Sequence, residues 1–204
     1  AASDVYKRQV VDQSEADKAK RKVTKSRWCY TIKHHRDGSI ERFKARFVVC
    51  GYSQVKGEDY THAFSATLRA TSFRLLMAMA AGQKLSHEHF DVKNAFTQSE
   101  IDAELYTLPP KGFPQGTGKD GKPRVLKLIK SLYGTKQASR LWQLKLRDFL
   151  VNEMGFENST VDPCLFIKHS DNGGVMALGV YVDDIILAHK GTCPPSGINL
   201  RACT

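Results

Sequence analysis

The chain has 204 residues, 41% apolar and 25% charged, which is enough to bury a core and excludes a disordered or collagen-like polypeptide. No apolar run is as long as a membrane span, and the first residues lack the charged-then-apolar layout of a secretory signal. The formal net charge of +10 favours polyanionic partners, and the five scattered cysteines, none in a CxxC pair, fit reduced thiols and exclude a disulfide frame or a zinc site.

In chain order, residues 1–26 are expected to be a leader outside the fold, because AASDVYKRQ has no amphipathic period and reads as linker sequence. The folded chain is expected to begin near Arg27. Residues 18–46 hold 11 basic and two acidic residues, and residues 119–147 hold nine basic and one acidic. A single Lys-rich run is usually a solvated face. Two such zones, interleaved with Trp28, Tyr30, Phe43, Tyr133 and Trp142, point instead to a groove for a phosphate backbone.

RWCYTIKHHRDGSIERFKARFVVCG reads as a hairpin about Asp37-Gly38. TSFRLLMAMAAGQ reads as a helix, with Thr71 or Ser72 as N-cap and Gly82 at its end. LSHEHFDVKNAF opens as a strand with Leu85, His87, His89 and Asp91 on one face, followed by a short helical turn. PRVLKLIK is a strand. QASRLWQLKLRDFLVNEMG carries a helical stripe of Trp142, Leu146, Phe149, Leu150 and Met154, closed by Gly155. CLFIKH is a further strand. GVMALGVYVDDIILAHKG makes two strands about an Asp-Asp turn. Residues 191–204, rich in Pro, Gly and Cys, are expected to be an irregular tail. This order predicts an α+β fold, an antiparallel sheet with helices on one face, in a split βαβ pattern that can bring the first and last strands together.

The Asp183-Asp184 pair interrupts a run built for burial. Two carboxylates at a hairpin tip repel unless a cation lies between them, although an Asp-Asp tip by itself is most often a solvated turn. Asp91 changes that balance. If its strand neighbours the hairpin, three carboxylates share one site. That set can hold two metal ions about 3.5–4 Å apart, as in-line phosphoryl transfer requires. Mg²⁺ is the expected ion, with Mn²⁺ as a possible substitute.

YVDD after an apolar run, DVKNAF, SLYGTKQASR, KARFVVCGYSQVKGEDY and VDPCLF together resemble, in order and spacing, the reverse transcriptases of copia-type LTR retrotransposons. The resemblance covers about residues 27–190. It implies a right-hand polymerase, with fingers and a ferredoxin-like palm, lacking thumb and RNase H. By motif, Asp91, Asp183 and Asp184 resemble the metal-binding catalytic triad. Phe96 matches the aromatic position beneath the sugar of the incoming nucleotide, where a flat ring would exclude a 2′-hydroxyl. Arg46 resembles the arginine that grips the triphosphate, with Lys44 assisting. Gln137 resembles the glutamine near the nucleotide 3′-hydroxyl, and Tyr181 and Val182 would flank the primer end. For Phe96, a plain core ring is nearly as good a reading; for Gln137, so is a polar residue at a helix start.

The chain departs from the family at Thr135-Lys136-Gln137-Ala138-Ser139, where Leu-Lys-Gln-Ala-Pro is usual. It departs also at Phe96-Thr97-Gln98-Ser99 (usually Phe-Leu-Asn-Gly) and at Phe64-Ser65-Ala66-Thr67 (usually Phe-Ala-Pro-Val). The carboxylates are spared. The implied function is RNA-directed DNA polymerase, with an RNA template, a DNA primer and dNTPs as partners and no membrane. Integrase and RNase H would be neighbours in one polyprotein, within a cytoplasmic particle or the nucleus. Two alternatives stand beside it. One is a relic that binds nucleic acid without catalysis. The other is a metal-dependent hydrolase, for which His87 and His89 offer no metal-spaced partner.

Overall fold

The computed structural model describes residues 8–113, 116–119, 121–169 and 173–190. The elements run β1 (Arg8–Val11), α1 (Gln13–Lys18), β2 (Val23–Thr24), β3 (Ser26–His34), β4 (Ile40–Val49), α2 (Ala70–Gly82), β5 (Ser86–Asp91), β6 (Tyr106–Thr107), β7 (Val125–Leu128), α3 (Ala138–Asp148), β8 (Glu157–Asn158), β9 (Leu165–His169), β10 (Val175–Tyr181) and β11 (Asp184–His189). The protein is a mixed α+β chain that divides into two compact units. One comprises Ala1–Ala63 with Ser99–Leu141, the other Phe64–Gln98 with Trp142–Thr204. No helix among the described residues is long and apolar enough to cross a membrane.

The first unit carries a four-stranded sheet, ordered β1-β7-β6-β2, and the separate two-stranded ribbon β3-β4. The expectation of a leader over residues 1–26 meets a different arrangement. Residues 8–11 pair antiparallel with Val125–Leu128, and Ala16 of α1 packs with Val11, Tyr106 and Val125 in a small core. The local sequence hid this because its apolar residues are few and their partners lie about a hundred positions away. On the other face of β7, Leu126 and Leu128 pack with Phe47, Val49, Leu105 and Leu132. The ribbon turns at Gly38 with φ +86°, and Asp37 accepts hydrogen bonds from the Ser39 amide and hydroxyl. Where β4 ends, a Cβ on Gly134 would lie 2.1 Å from the Val49 carbonyl oxygen, so only glycine permits that approach.

The second unit is built on a five-stranded sheet, ordered β5-β11-β10-β9-β8, with every pairing antiparallel. Helices cover both of its faces, which corrects the expectation of helices on one face. Leu178, Val180, Ile185 and Leu187 pack with Trp142, Leu146 and Leu150 of the α3 segment. Ala177 and Ala188, of the opposite parity, pack with Leu76 and Ala80 of α2. The physical reason lies in the run MALGV: both parities are apolar, and a strand buried on two faces reads as a continuous apolar stretch. Each fully buried Leu or Ile in this layer contributes about 1.5–3 kcal/mol relative to exposure.

The start of α2 also differs from expectation. Its N-cap is Arg69, which makes no side-chain cap. Asp162 caps the helix from another segment, accepting the Arg69 amide at 3.0 Å. The α3 stripe forms as predicted, with Trp142, Leu146, Phe149 and Leu150 buried, and the helix continues as a π-helical turn over Phe149–Glu153.

Candidate functional site

The second unit positions the acidic residues. β5 pairs with β11 in a register that sets Asp91 opposite Asp184, His89 opposite Ile186 and Phe90 opposite Ile185. Asp91 and Asp184 therefore share one sheet face, with Cβ atoms of such directly opposed residues about 4.5–5.5 Å apart. Like charges in that arrangement repel, so the fold tolerates at its end a pair that sheet energetics disfavours. Asp183 follows at the tip. Its carbonyl oxygen accepts the Val92 amide at 2.9 Å, which ties the tip to the end of β5.

The tip is strained and pinned. Tyr181 and Asp184 are the last pair of the hairpin ladder, leaving Val182 and Asp183 as a two-residue connection. Val182 has φ +59°, a region costly for a β-branched residue and normally given to glycine in such turns. The indole of Trp142 donates to the Val182 carbonyl at 2.8 Å. Trp142 is itself 1% exposed, so the anchor is rigid. The sequence placed Trp142 both in a core stripe and among the aromatics of the second basic zone; its burial fits the stripe, and nothing in its spacing gave the indole bond away.

The carboxylates are reachable. Asp91, Asp183 and Asp184 are all exposed, as is Tyr181, while Val182 is half-buried. Asp184 Oδ1 lies 3.2 Å from Nε2 of His89, whose side chain stands on the same face. Beside them is a recess of about 510 Å³ lined mainly by apolar groups, among them Leu68, Phe73, Tyr181 and Ile186, with His89 and Asp184 as its polar members. Among the described residues, no three His, Cys, Asp or Glu side chains already stand together as a metal cage. The donor chemistry still fits a hard divalent cation: three carboxylates, one each from β5, β11 and the β10-β11 turn, with no sulfur ligand. Phe96 sits in the 3₁₀ turn Ala95–Gln98 and packs, half-buried, against the sheet core.

The other expected residues belong to the first unit. On the β3-β4 ribbon, Arg27, Lys33, Arg42, Lys44 and Arg46 alternate onto one face, while Trp28, Tyr30, Ile32, Phe43 and Phe47 take the other. Arg46 lies with its guanidinium 5.7 Å from the centre of the Tyr133 ring, and Lys44 stands opposite Thr31. Gln137 is fully buried. Its amide donates to the Asp59 carbonyl at 2.9 Å and to Asp102 at 3.2 Å, and accepts from Gln54 at 3.1 Å. The residue expected near a nucleotide thus spends its hydrogen bonds inside the protein.

Part of the second basic zone is paired within the protein, which takes those cations away from the phosphate contacts expected of both zones. Lys122 pairs with Asp17, Arg124 with Asp12, and Lys127 with Glu15 and Glu104. All four acids come from stretches outside that zone, so a local charge count could not reveal the pairing. Of the thiols, Cys164 is buried, and burial together with the nearby Asp162 charge pushes it up to about 11, which leaves it an inert thiol at neutral pH. Cys193 and Cys203, with the whole expected tail of residues 191–204, lie outside the described residues.

Comparison with known proteins bears on the family. The profile of the family described as reverse transcriptase (RNA-dependent DNA polymerase) matches residues 8–194. The chain is 41% identical over 161 residues to the retrovirus-related Pol polyprotein from transposon RE1 of Arabidopsis thaliana, covering 79% of this chain and 11% of that protein. It is 38% identical over 176 residues to the Pol polyprotein from transposon TNT 1-94 of Nicotiana tabacum, covering 86% and 13%. It is 29% identical over 179 residues to the truncated transposon Ty1-A Gag-Pol polyprotein of Saccharomyces cerevisiae, covering 88% and 14%. The chain thus spans between 11% and 14% of the length of these three relatives.

Proposed function

The chain belongs to the reverse transcriptase family of copia-type retrotransposon polyproteins, and from that premise we propose that it extends a DNA primer on an RNA template, within a polyprotein that also carries integrase and RNase H and works in an intracellular particle or the nucleus. The observation that carries this reading is the register that sets Asp91 opposite Asp184, with Asp183 beside them on a pinned tip. The second unit then acts as a palm and the β3-β4 ribbon as fingers of a right-hand polymerase.

Asp91, Asp183 and Asp184 would hold two Mg²⁺ ions, or Mn²⁺ in their place. Such ions, when bound, supply Lewis-acid activation of the primer 3′-hydroxyl and neutralise charge on the triphosphate. The chain's own residues do the positioning. Trp142 and Val92 hold the tip through the Val182 and Asp183 carbonyls, so the carboxylates do not have to be ordered at the moment of reaction. Tyr181 and Val182 flank the primer end. Arg46, assisted by Lys44, grips the triphosphate; a guanidinium suits two phosphate oxygens at once. The ring of Phe96 lies beneath the sugar and disfavours a 2′-hydroxyl. Gln137 reaches a nucleotide only by giving up its bonds to Gln54, Asp59 and Asp102, so its proposed part is to brace the turn that carries Lys136.

Primer extension tests the proposal. The 204-residue chain, with an RNA template, an annealed DNA primer, dNTPs and Mg²⁺, is expected to add nucleotides, and Asp183→Asn or Asp184→Asn to abolish addition. Extension that survives both substitutions would overturn the roles given to these carboxylates. Salt-sensitive binding of the hybrid with no incorporation by the unaltered chain would leave the non-catalytic, nucleic-acid-binding reading.

A further inference from the structure

We propose that His89 is a positioning residue for Asp184, fixing the orientation in which that carboxylate meets a divalent cation; this rests on the metal-holding role proposed above for the three aspartates. The placement follows from strand parity. His89 lies two residues before Asp91 on β5, so both side chains share a face, and its direct partner across the ladder is Ile186, two residues after Asp184. His89 and Asp184 are therefore diagonal neighbours, and diagonal pairs on one face of an antiparallel sheet are within reach of long or aromatic side chains. The structure shows that reach being used: Nε2 of His89 and Oδ1 of Asp184 are 3.2 Å apart.

The chemistry of the bond gives it a direction. An ionised carboxylate only accepts, so Nε2 carries the hydrogen and donates to Oδ1. The bond engages one oxygen and restrains rotation of the carboxylate, leaving Oδ2 to take up a ligand. His89 reaches Asp184 from β5, the strand that also carries Asp91, but displaced along it by two residues. A donor there keeps Asp184 ordered against repulsion from Asp91 before any cation arrives. The two groups also line the same mainly apolar recess, beside Leu68 and Phe73. Both side chains are more than half exposed, so the bond adds little to folding stability, and its value lies in orientation. Hydrogen bonds from such neighbours to a liganding group are what set ligand direction in metal sites.

Mn²⁺ binding to the 204-residue chain, read by loss of the free-ion electron paramagnetic resonance signal, tests this without turnover. The unaltered chain and the variants His89→Ala, His89→Gln and Asp184→Asn are compared. His89→Ala is expected to weaken Mn²⁺ binding about tenfold, and His89→Gln, whose amide can donate to the same oxygen, to restore it to within about twofold. Thermal unfolding of both histidine variants is expected to match the unaltered chain. If His89→Ala binds as the unaltered chain does while Asp184→Asn does not bind, the positioning role is overturned and the metal-holding role stands. If glutamine fails to rescue, a donated hydrogen bond is not what matters, and the proposal fails. If the unaltered chain and Asp184→Asn bind Mn²⁺ equally, the metal-holding role itself falls and this inference falls with it.

Discussion

Val182 shows how much rests on single groups at the tip. Its φ of +59° costs about 1–3 kcal/mol for a residue of its kind, and such strain persists only where neighbours over-determine it. Two bonds do that here: the Trp142 indole to the Val182 carbonyl, and the Val92 amide to the Asp183 carbonyl. Trp142→Phe keeps most of the buried ring and removes only the donor. The Val182 carbonyl then loses its partner, and the unfolding free energy is expected to fall by about 1–2 kcal/mol in a urea titration. The sharper readout is amide hydrogen exchange at Val92, whose protection reports the attachment of the tip. Faster exchange at Val92, with exchange at Leu178 and Ile185 unchanged, is the expected result. Unchanged protection at Val92 would mean that strand pairing alone holds the tip, and that the indole is a passenger.

At the scale of elements, the legible features were those whose signal is local. The β3-β4 ribbon announced itself through Asp37-Gly38, the α3 stripe through its spacing from Trp142 to Leu150, and the β10-β11 hairpin through two apolar runs about an Asp pair. The alternation of His87, His89 and Asp91 onto one exposed face was also readable. What stayed hidden depends on partners far away in sequence. The β1-α1 segment is folded by β7, which begins more than a hundred residues later. The N-terminus of α2 has neither Thr71 nor Ser72 as its cap, because Asp162, from the VDPCLF block, arrives to accept the Arg69 amide. That carboxyl is fully buried, and burial pushes its pKa up; hydrogen bonds from the Ser72 hydroxyl and the Cys164 and Arg69 amides, with the Arg69 charge, outweigh it and leave the group below the ordinary carboxylate value of 3.8. A carboxyl lowered on folding stabilises the fold when ionised, so its contribution is complete above about pH 5 and is lost as pH falls below 3.8 and through the folded value. Asp162→Asn removes the charge but not the shape. It is expected to cost about 1–2 kcal/mol at neutral pH and to flatten the fall of thermal stability between about pH 5 and pH 3. A variant that keeps the acid dependence of the unaltered chain would assign that dependence to other carboxyls.

For the whole molecule, net charge is the quantity that sequence gives most easily and structure revises most. The +10 excess is real, and two basic zones contribute to it. They are not equivalent. In the second zone, Lys122, Arg124 and Lys127 are matched by Asp17, Asp12, Glu15 and Glu104, so their charge serves to attach the N-terminal strand and helix to the sheet. On the ribbon, strand alternation gathers Arg27, Lys33, Arg42, Lys44 and Arg46 on one face, with Arg42 paired to the adjacent Glu41, and a phosphate chain can follow them. Counterion release turns this difference into a slope. The logarithm of the affinity for an RNA–DNA hybrid falls with the logarithm of salt concentration by about 0.9 for each phosphate neutralised. Replacing Arg27 and Lys33 together by alanine is expected to reduce that slope by about 2 between about 50 and 200 mM salt, as read by fluorescence anisotropy. Replacing Lys122 and Arg124 instead is expected to leave the slope as it was and to lower thermal stability, since Asp17 and Asp12 lose their partners. Equal loss of slope from both pairs would mean that the paired lysine and arginine exchange their carboxylates for phosphates on binding, and that the hybrid runs across both faces of charge rather than along the ribbon alone.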